Sequence, residues 1–145
     1  MGHIFISYSH EDRGYVQELK DALQKEGFQV WIDERLDYGV EWPMVIQEKL
    51  DVCDALILVA SENSYQSKWV QKEVTRVQRL SKPFFPLLLS GAPWLSIEST
   101  QYVDVTDGEM PPEKFYERLA EVTSRGDAAQ PMAEVSQAIA DGSPA

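Results

Sequence analysis

Two residue pairs in this sequence have the types and spacing to do chemistry. Trp69 and Glu73 lie four apart within Lys68 to Leu80. Val70, Val74 and Val77 recur there at helical spacing, so Trp69 and Glu73 share one helix face. That arrangement sets an apolar or stacking wall beside a carboxylate. The residues alone leave two readings open: a functional carboxylate, or a surface glutamate over a core tryptophan. Ser9 and His10 form the second pair, since a histidine can serve a serine as base. Adjacent loop residues seldom reach that geometry, however. Ser9 equally suits a helix N-cap, and His10 reads as a loop residue. His3 opens a strand and reads as structural. Cys53 precedes an apolar run and reads as a small buried hydrophobe.

Other chemistries are excluded by what is missing. There is no G-x-x-x-x-G-K-[ST] phosphate loop, no G-x-G-x-x-G after the first strand and no G-x-S-x-G elbow. One cysteine and two histidines leave little material for a zinc site and none for an intrachain disulfide. Glu11 and Asp12 could supply the acidic cluster of a receiver-like phosphorylation domain. The third strand, though, ends Val59-Ala60-Ser61-Glu62, with no acceptor aspartate.

The elements that must position these residues alternate along the chain. His3 to Tyr8 is short, apolar and rich in β-formers, a buried strand. Glu11 to Glu26 is an amphipathic helix on Tyr15, Leu19, Ala22 and Leu23, capped by Gly27. Phe28 to Asp33 is a second strand, and Glu34 to Trp42 a polar loop. Pro43 opens a helix carrying Val45, Ile46, Lys49 and Leu50. Ala55 to Ala60 is the most apolar stretch and the expected central strand. Ser61 to Ser67 reads as a polar loop before the Lys68–Leu80 helix. Phe84 to Leu89 is a fourth strand, in which Pro86 argues for an edge or a bulge. Gln101 to Thr106 is a weak fifth strand, and Pro111-Pro112 precedes a helix to about Thr123. This order implies an α/β fold: a flavodoxin-like, doubly wound sheet of about five parallel strands with helices on both faces. Such sheets take ligands beyond the carboxyl ends of their strands. The domain is expected over 1–124. Residues 125–145 are rich in Ala, Gly, Ser and Pro and read as a flexible tail or linker with at most a short helix.

Composition bounds the partners. The chain has 145 residues, of which 13 are Lys or Arg and 24 Asp or Glu, a formal net charge of −11. A field of that sign repels polyanions and argues against general nucleic-acid binding. No apolar run approaches the ~20 residues of a membrane helix, and no secretory signal is apparent at Met1. The expectation is a cytoplasmic protein without membrane partners.

Five segments in order resemble one family. Phe5-Ile6-Ser7-Tyr8-Ser9-His10-Glu11-Asp12 is similar to the first box of a Toll/interleukin-1 receptor (TIR) domain in its bacterial form. Gly27 to Asp33 resembles the second strand. Leu36, Gly39, Trp42 and Ile46 resemble the BB loop and the helix behind it. Asp54 to Ser61 resembles the central strand, and Ser67-Lys68-Trp69-Val70-Gln71-Lys72-Glu73 the segment that holds the essential glutamate of TIR enzymes. The resemblance runs from His3 to about Thr123.

It implies a choice between two classes. TIR enzymes cleave the nicotinamide–ribose bond of NAD+, giving nicotinamide and ADP-ribose or a cyclic isomer. Other TIR domains are non-catalytic interaction modules. The resemblance puts the catalytic glutamate at Glu73 and the substrate-binding residues at Ser9, His10, Arg35, Leu36, Trp42 and Trp69. Arg13 is a further source of positive charge near His10. NAD+ is then a substrate, with no separate cofactor and no metal. The resemblance also implies self-association through TIR–TIR contacts that include the BB loop, 34–42, with further domains or effector proteins as partners. Bacterial immune signalling or antiphage defence is the implied setting. Because Glu73 borders the apolar stripe, it is expected to be partly exposed, with its carboxyl raised by desolvation.

Overall fold

A computed structural model describes residues 3–32, 44–94, 97 and 101–123. The expected BB loop, including Arg35, Leu36 and Trp42, lies outside the described residues, as does the tail from 124.

The strands are β1 (Ile4–Ser7), β2 (Val30–Trp31), β3 (Ala55–Ala60), β4 (Phe84–Leu88) and β5 (Val103–Asp104). They form a five-stranded sheet in the order β2-β1-β3-β4-β5, and every pair is parallel. The helices are α1 (Arg13–Lys25), α2 (Met44–Val52), α3 (Glu62–Tyr65), α4 (Lys68–Arg79) and α5 (Glu113–Glu121). None of these helices is long and apolar enough to cross a membrane.

Period-two alternation sorts the strand side chains into two cores. Ile4, Ile6, Ala55, Ile57, Val59 and Leu87 face α1 and α5, meeting Val16, Leu19, Leu23, Phe115 and Leu119. Phe5, Leu56, Leu58, Ala60 and Leu88 face the other way, onto Ile46 and Leu50 of α2 and Val70, Val74 and Val77 of α4. β3 has both faces covered, which is why its sequence is a continuous apolar run. Gly27 closes α1 as expected. At φ 96° it occupies the left-handed region, and the Phe28 N–H returns to the Leu23 carbonyl at 3.1 Å.

Three sequence expectations need correction. Ser61 to Ser67 is not merely a loop. It contains α3, whose capping box pairs the Ser61 and Ser64 side chains with each other's N–H groups; serine at both positions disguises a helix start as a polar linker. The first helix begins as a 3-10 turn over His10–Asp12 rather than as α-helix at Glu11. Pro86 lies inside the sheet, not on an edge strand or bulge, and pairs in register with Leu58. Alternation explains how it is tolerated. Leu89 N–H bonds Ala60 on β3, whereas the Leu88 carbonyl accepts from Val105 on the β5 side, so Pro86 also turns its nitrogen toward β5. That strand pairs only opposite Leu87 and Leu88, and no ladder bond is lost.

Candidate active site

At the carboxyl edge of β1 and β3 the structure brings Ser7 to Glu73, with Ser9 and His10 just beyond the end of β1. Ser7 is the last residue of β1 and sits beside Leu58 of β3. By alternation it faces the same side as Phe5, toward α4. Helix α4 starts at Ser67, whose hydroxyl accepts the Val70 N–H at 3.2 Å. Its buried residues are Val70, Glu73, Val74 and Val77, spaced i, i+3, i+4 and i+7. Glu73 therefore takes a position that this periodicity would give to a hydrophobe. It is 4% exposed, and the Ser7 hydroxyl donates to its Oε1 at 2.5 Å.

The surface-glutamate reading of the Trp69–Glu73 pair is thereby corrected, together with the expected partial exposure of Glu73. The carboxylate is buried, not partly exposed. Trp69 is the half-buried member and carries the Lys72 ammonium over its ring, 4.9 Å from the centroid. A surface glutamate over a core tryptophan is the reverse of what the fold builds. A carboxylate enters an apolar helix–sheet interface only with a hydrogen-bonding partner, because the desolvation is otherwise severe. Ser7 supplies such a partner. Sequence reasoning assigned Ser7 no role, although a signal existed: it is a polar residue on the core-facing side at the end of an apolar strand.

Ser9 is the N-cap of the 3-10 turn, its hydroxyl accepting the Glu11 N–H at 3.3 Å. The capping role is thus realised. His10 is partly buried and packs edge-on against Tyr8, ring centroids 5.5 Å apart. These two residues are separated from Ser7 by Tyr8 alone and lie on the same carboxyl edge. Cys53 is buried as expected, and burial pushes its thiol up to about 11. His3 precedes β1 and its carbonyl accepts the Asp54 N–H; burial lowers its pKa. Among the described residues, no group of three or more His, Cys, Asp and Glu could hold a metal ion.

Comparison with known proteins decides the family. The family model described as "TIR domain" matches residues 4–120. The chain belongs to the TIR-domain family. A curated relative of this TIR domain is the NAD(+) hydrolase TcpA of Theionarchaea archaeon (strain DG-70-1), 34% identical over 73 residues. That match covers 49% of this chain and 22% of the relative. Among solved structures, the TIR domain of the Toll-related receptor TRR-2 from Hydra magnipapillata aligns with a TM-score of 0.68 at 19% identity, covering 84% of this chain and 98% of that one. The TIR domains of the activated Roq1 resistosome, which recognises the pathogen effector XopQ, align with a TM-score of 0.56 at 17% identity, covering 84% and 81%. These likenesses show that the five-stranded parallel sheet is the flavodoxin-like TIR fold.

Proposed function

We propose that this TIR domain is an NAD+ glycohydrolase or cyclase that uses Glu73 as its catalytic carboxylate. The observation that carries the reading is the burial of Glu73 on the apolar face of α4, hydrogen-bonded to Ser7 at the carboxyl edge of the sheet. A charged group at a core position is costly to stability, and buried ionisable groups held at a sheet edge concentrate at functional sites. The likeness to a protein named as an NAD(+) hydrolase supports the same assignment.

The chemistry suits a single carboxylate. The nicotinamide ring of NAD+ is already cationic, so it leaves as a neutral molecule without general acid help. The C1′–N bond breaks and its electron pair goes to the ring nitrogen. Positive charge then develops on the ribose, as in glycoside hydrolysis. Glu73 would hold the ribose hydroxyls and stabilise that charge. Water captures the cation to give ADP-ribose and releases a proton; capture by a ring position or hydroxyl of the same nucleotide gives a cyclic product. Ser9, His10 and Trp69 would line the substrate from the described edge, joined by Arg35, Leu36 and Trp42. Self-association through surfaces that include residues 34–42 would complete and activate the site, and immune signalling or antiphage defence is the setting we assign.

The test is NAD+ consumption with product separation, on wild type and Glu73→Gln at matched folding. The expected result is nicotinamide release that falls about a hundredfold to a thousandfold in the variant. Full activity in Glu73→Gln would overturn the assignment. No turnover by folded wild type, including after forced oligomerisation, would move the domain to the non-catalytic interaction class.

A further inference from the structure

The loop that follows β1 is fastened at both ends by a serine–carboxylate hydrogen bond. At its start, Ser7 donates to Glu73 at 2.5 Å. At its end, the Ser61 hydroxyl donates to Asp12 Oδ2, also at 2.5 Å. Ser61 is itself rigidly held. It is 1% exposed, its N–H donates to Ser64 Oγ at 2.8 Å, and Ser64 Oγ donates to the Val59 carbonyl at 2.9 Å. Asp12 is thus tied through two serines to the end of the central strand. Between the fastenings, the Asp12 N–H donates to the Ser9 carbonyl at 2.8 Å, and His10 stacks edge-on against Tyr8.

Asp12 also declines its ordinary local task. It occupies the N-cap of α1, where an aspartate usually accepts a backbone N–H of the first turn. Its side chain makes no such bond and reaches across to Ser61, 49 residues away in sequence. A cap side chain diverted from its own helix is serving something other than that helix. What it fixes is the segment Ser9–His10, whose backbone runs from the Glu73 partner to the Ser61 partner.

We propose that Asp12 and Ser61 are positioning residues: together they hold Ser9 and His10 at the substrate-facing edge and so set the affinity for the dinucleotide, without taking part in bond cleavage. This rests on the reading of the edge as an NAD+ site. The test compares KM and kcat for NAD+ in Ser61→Ala, Asp12→Ala, the double variant and Asp12→Asn, with NAD+ binding measured separately in a Glu73→Gln background. Asn keeps an acceptor oxygen for Ser61, so it should restore the loop. Loss of the bond should raise KM and Kd about tenfold, as for a hydrogen bond to a charged group, with kcat little changed. The double variant should match either single one, since both remove the same contact, and Asp12→Asn should behave like wild type. Unchanged KM in folded Asp12→Ala, or additive effects in the double variant, overturns the proposal. Should Ser61→Ala fail to fold for want of its capping box, Asp12→Ala leaves that box intact and decides the matter alone. Inactivity of wild type itself is a different outcome: it overturns the NAD+ reading, and this inference falls with it.

Discussion

Glu73 and Ser7 form a pair whose members are expected to fail differently when changed. Ser7→Ala removes the donor and takes one hydrogen bond from a buried carboxylate. Such a loss costs about 1–3 kcal/mol, so the variant should unfold at lower temperature. If Ser7 orients the catalytic carboxylate, kcat should also fall about tenfold with KM little changed, a loss of stabilisation made only in the transition state. A fall in stability with kcat intact would leave Ser7 as a packing residue only. Cys53 makes the opposite kind of prediction. Burial holds its thiol protonated up to about 11, and the thiolate is the reactive form. Alkylation at pH 8 should be slow in the folded protein and rapid in denaturant, and Cys53→Ala should leave NAD+ turnover untouched. The sign for stability follows. A folded-state pKa raised above the ordinary 9.0 gives a contribution that is complete below pH 9 and lost as pH climbs toward about 11. Rapid modification of native protein at neutral pH would show that Cys53 is more open than its 3% exposure implies.

Between α2 and α4, the elements that build the second core are joined outside it by Arg76, whose Nε and Nη2 reach the two Asp51 carboxylate oxygens at 2.8 and 3.0 Å. The pair is partly exposed, so its worth is modest and salt-sensitive. Hydrogen bonding to Arg76 holds the Asp51 carboxyl below its ordinary value. A depressed carboxylate contributes above its unfolded pKa and loses that contribution as pH falls through the folded one. Asp51→Asn should therefore lower Tm slightly at neutral pH and low salt, with the difference from wild type closing in acid and in high salt. A difference that persists in both would point to packing of α2 rather than to charge. How legible each element was in sequence follows from what it packs against. β3 announced itself as an uninterrupted apolar run, and α4 by an apolar stripe of helical period. α3 hid because its start is stabilised by hydroxyls, which composition cannot tell from a loop. β2 and β5 shrank to two paired residues each, although Phe28, Ile32 and Val105 beside them are buried; apolar runs report burial, and ladder pairing is a narrower condition. At the site, the position of Glu73 was readable only through the family resemblance, and its burial was underestimated because a glutamate on an apolar stripe carries no mark of a buried serine partner 66 residues away.

At the scale of the whole molecule the dominant quantity is the net charge of −11. Both partners proposed for this domain carry the same sign: NAD+ through its pyrophosphate, and a second copy of the chain. Long-range electrostatics therefore oppose substrate capture and assembly alike. Salt should relieve both. Between about 0.01 M and about 0.15 M ionic strength the Debye length shrinks from roughly 30 Å to roughly 8 Å, which is less than the span of a domain of this size. The expected outcome is that NAD+ turnover per mole of protein rises across that range. It should also rise with protein concentration, and the concentration needed for half of full activity should drop as salt is added. Sedimentation of the same samples separates the two effects, since screening of the substrate alone lowers KM without changing the oligomer. Activity that falls with salt would mean that a local cluster of cations governs binding. On the described surface one such cluster is Lys72, Arg76 and Arg79, which share a groove with Gln47 and Gln71, and Arg13, three residues after His10, is a further source of positive charge. Charge reversal at Arg79 would then weaken turnover, whereas under field-dominated repulsion, making Arg79 neutral should act only through the small change in net charge.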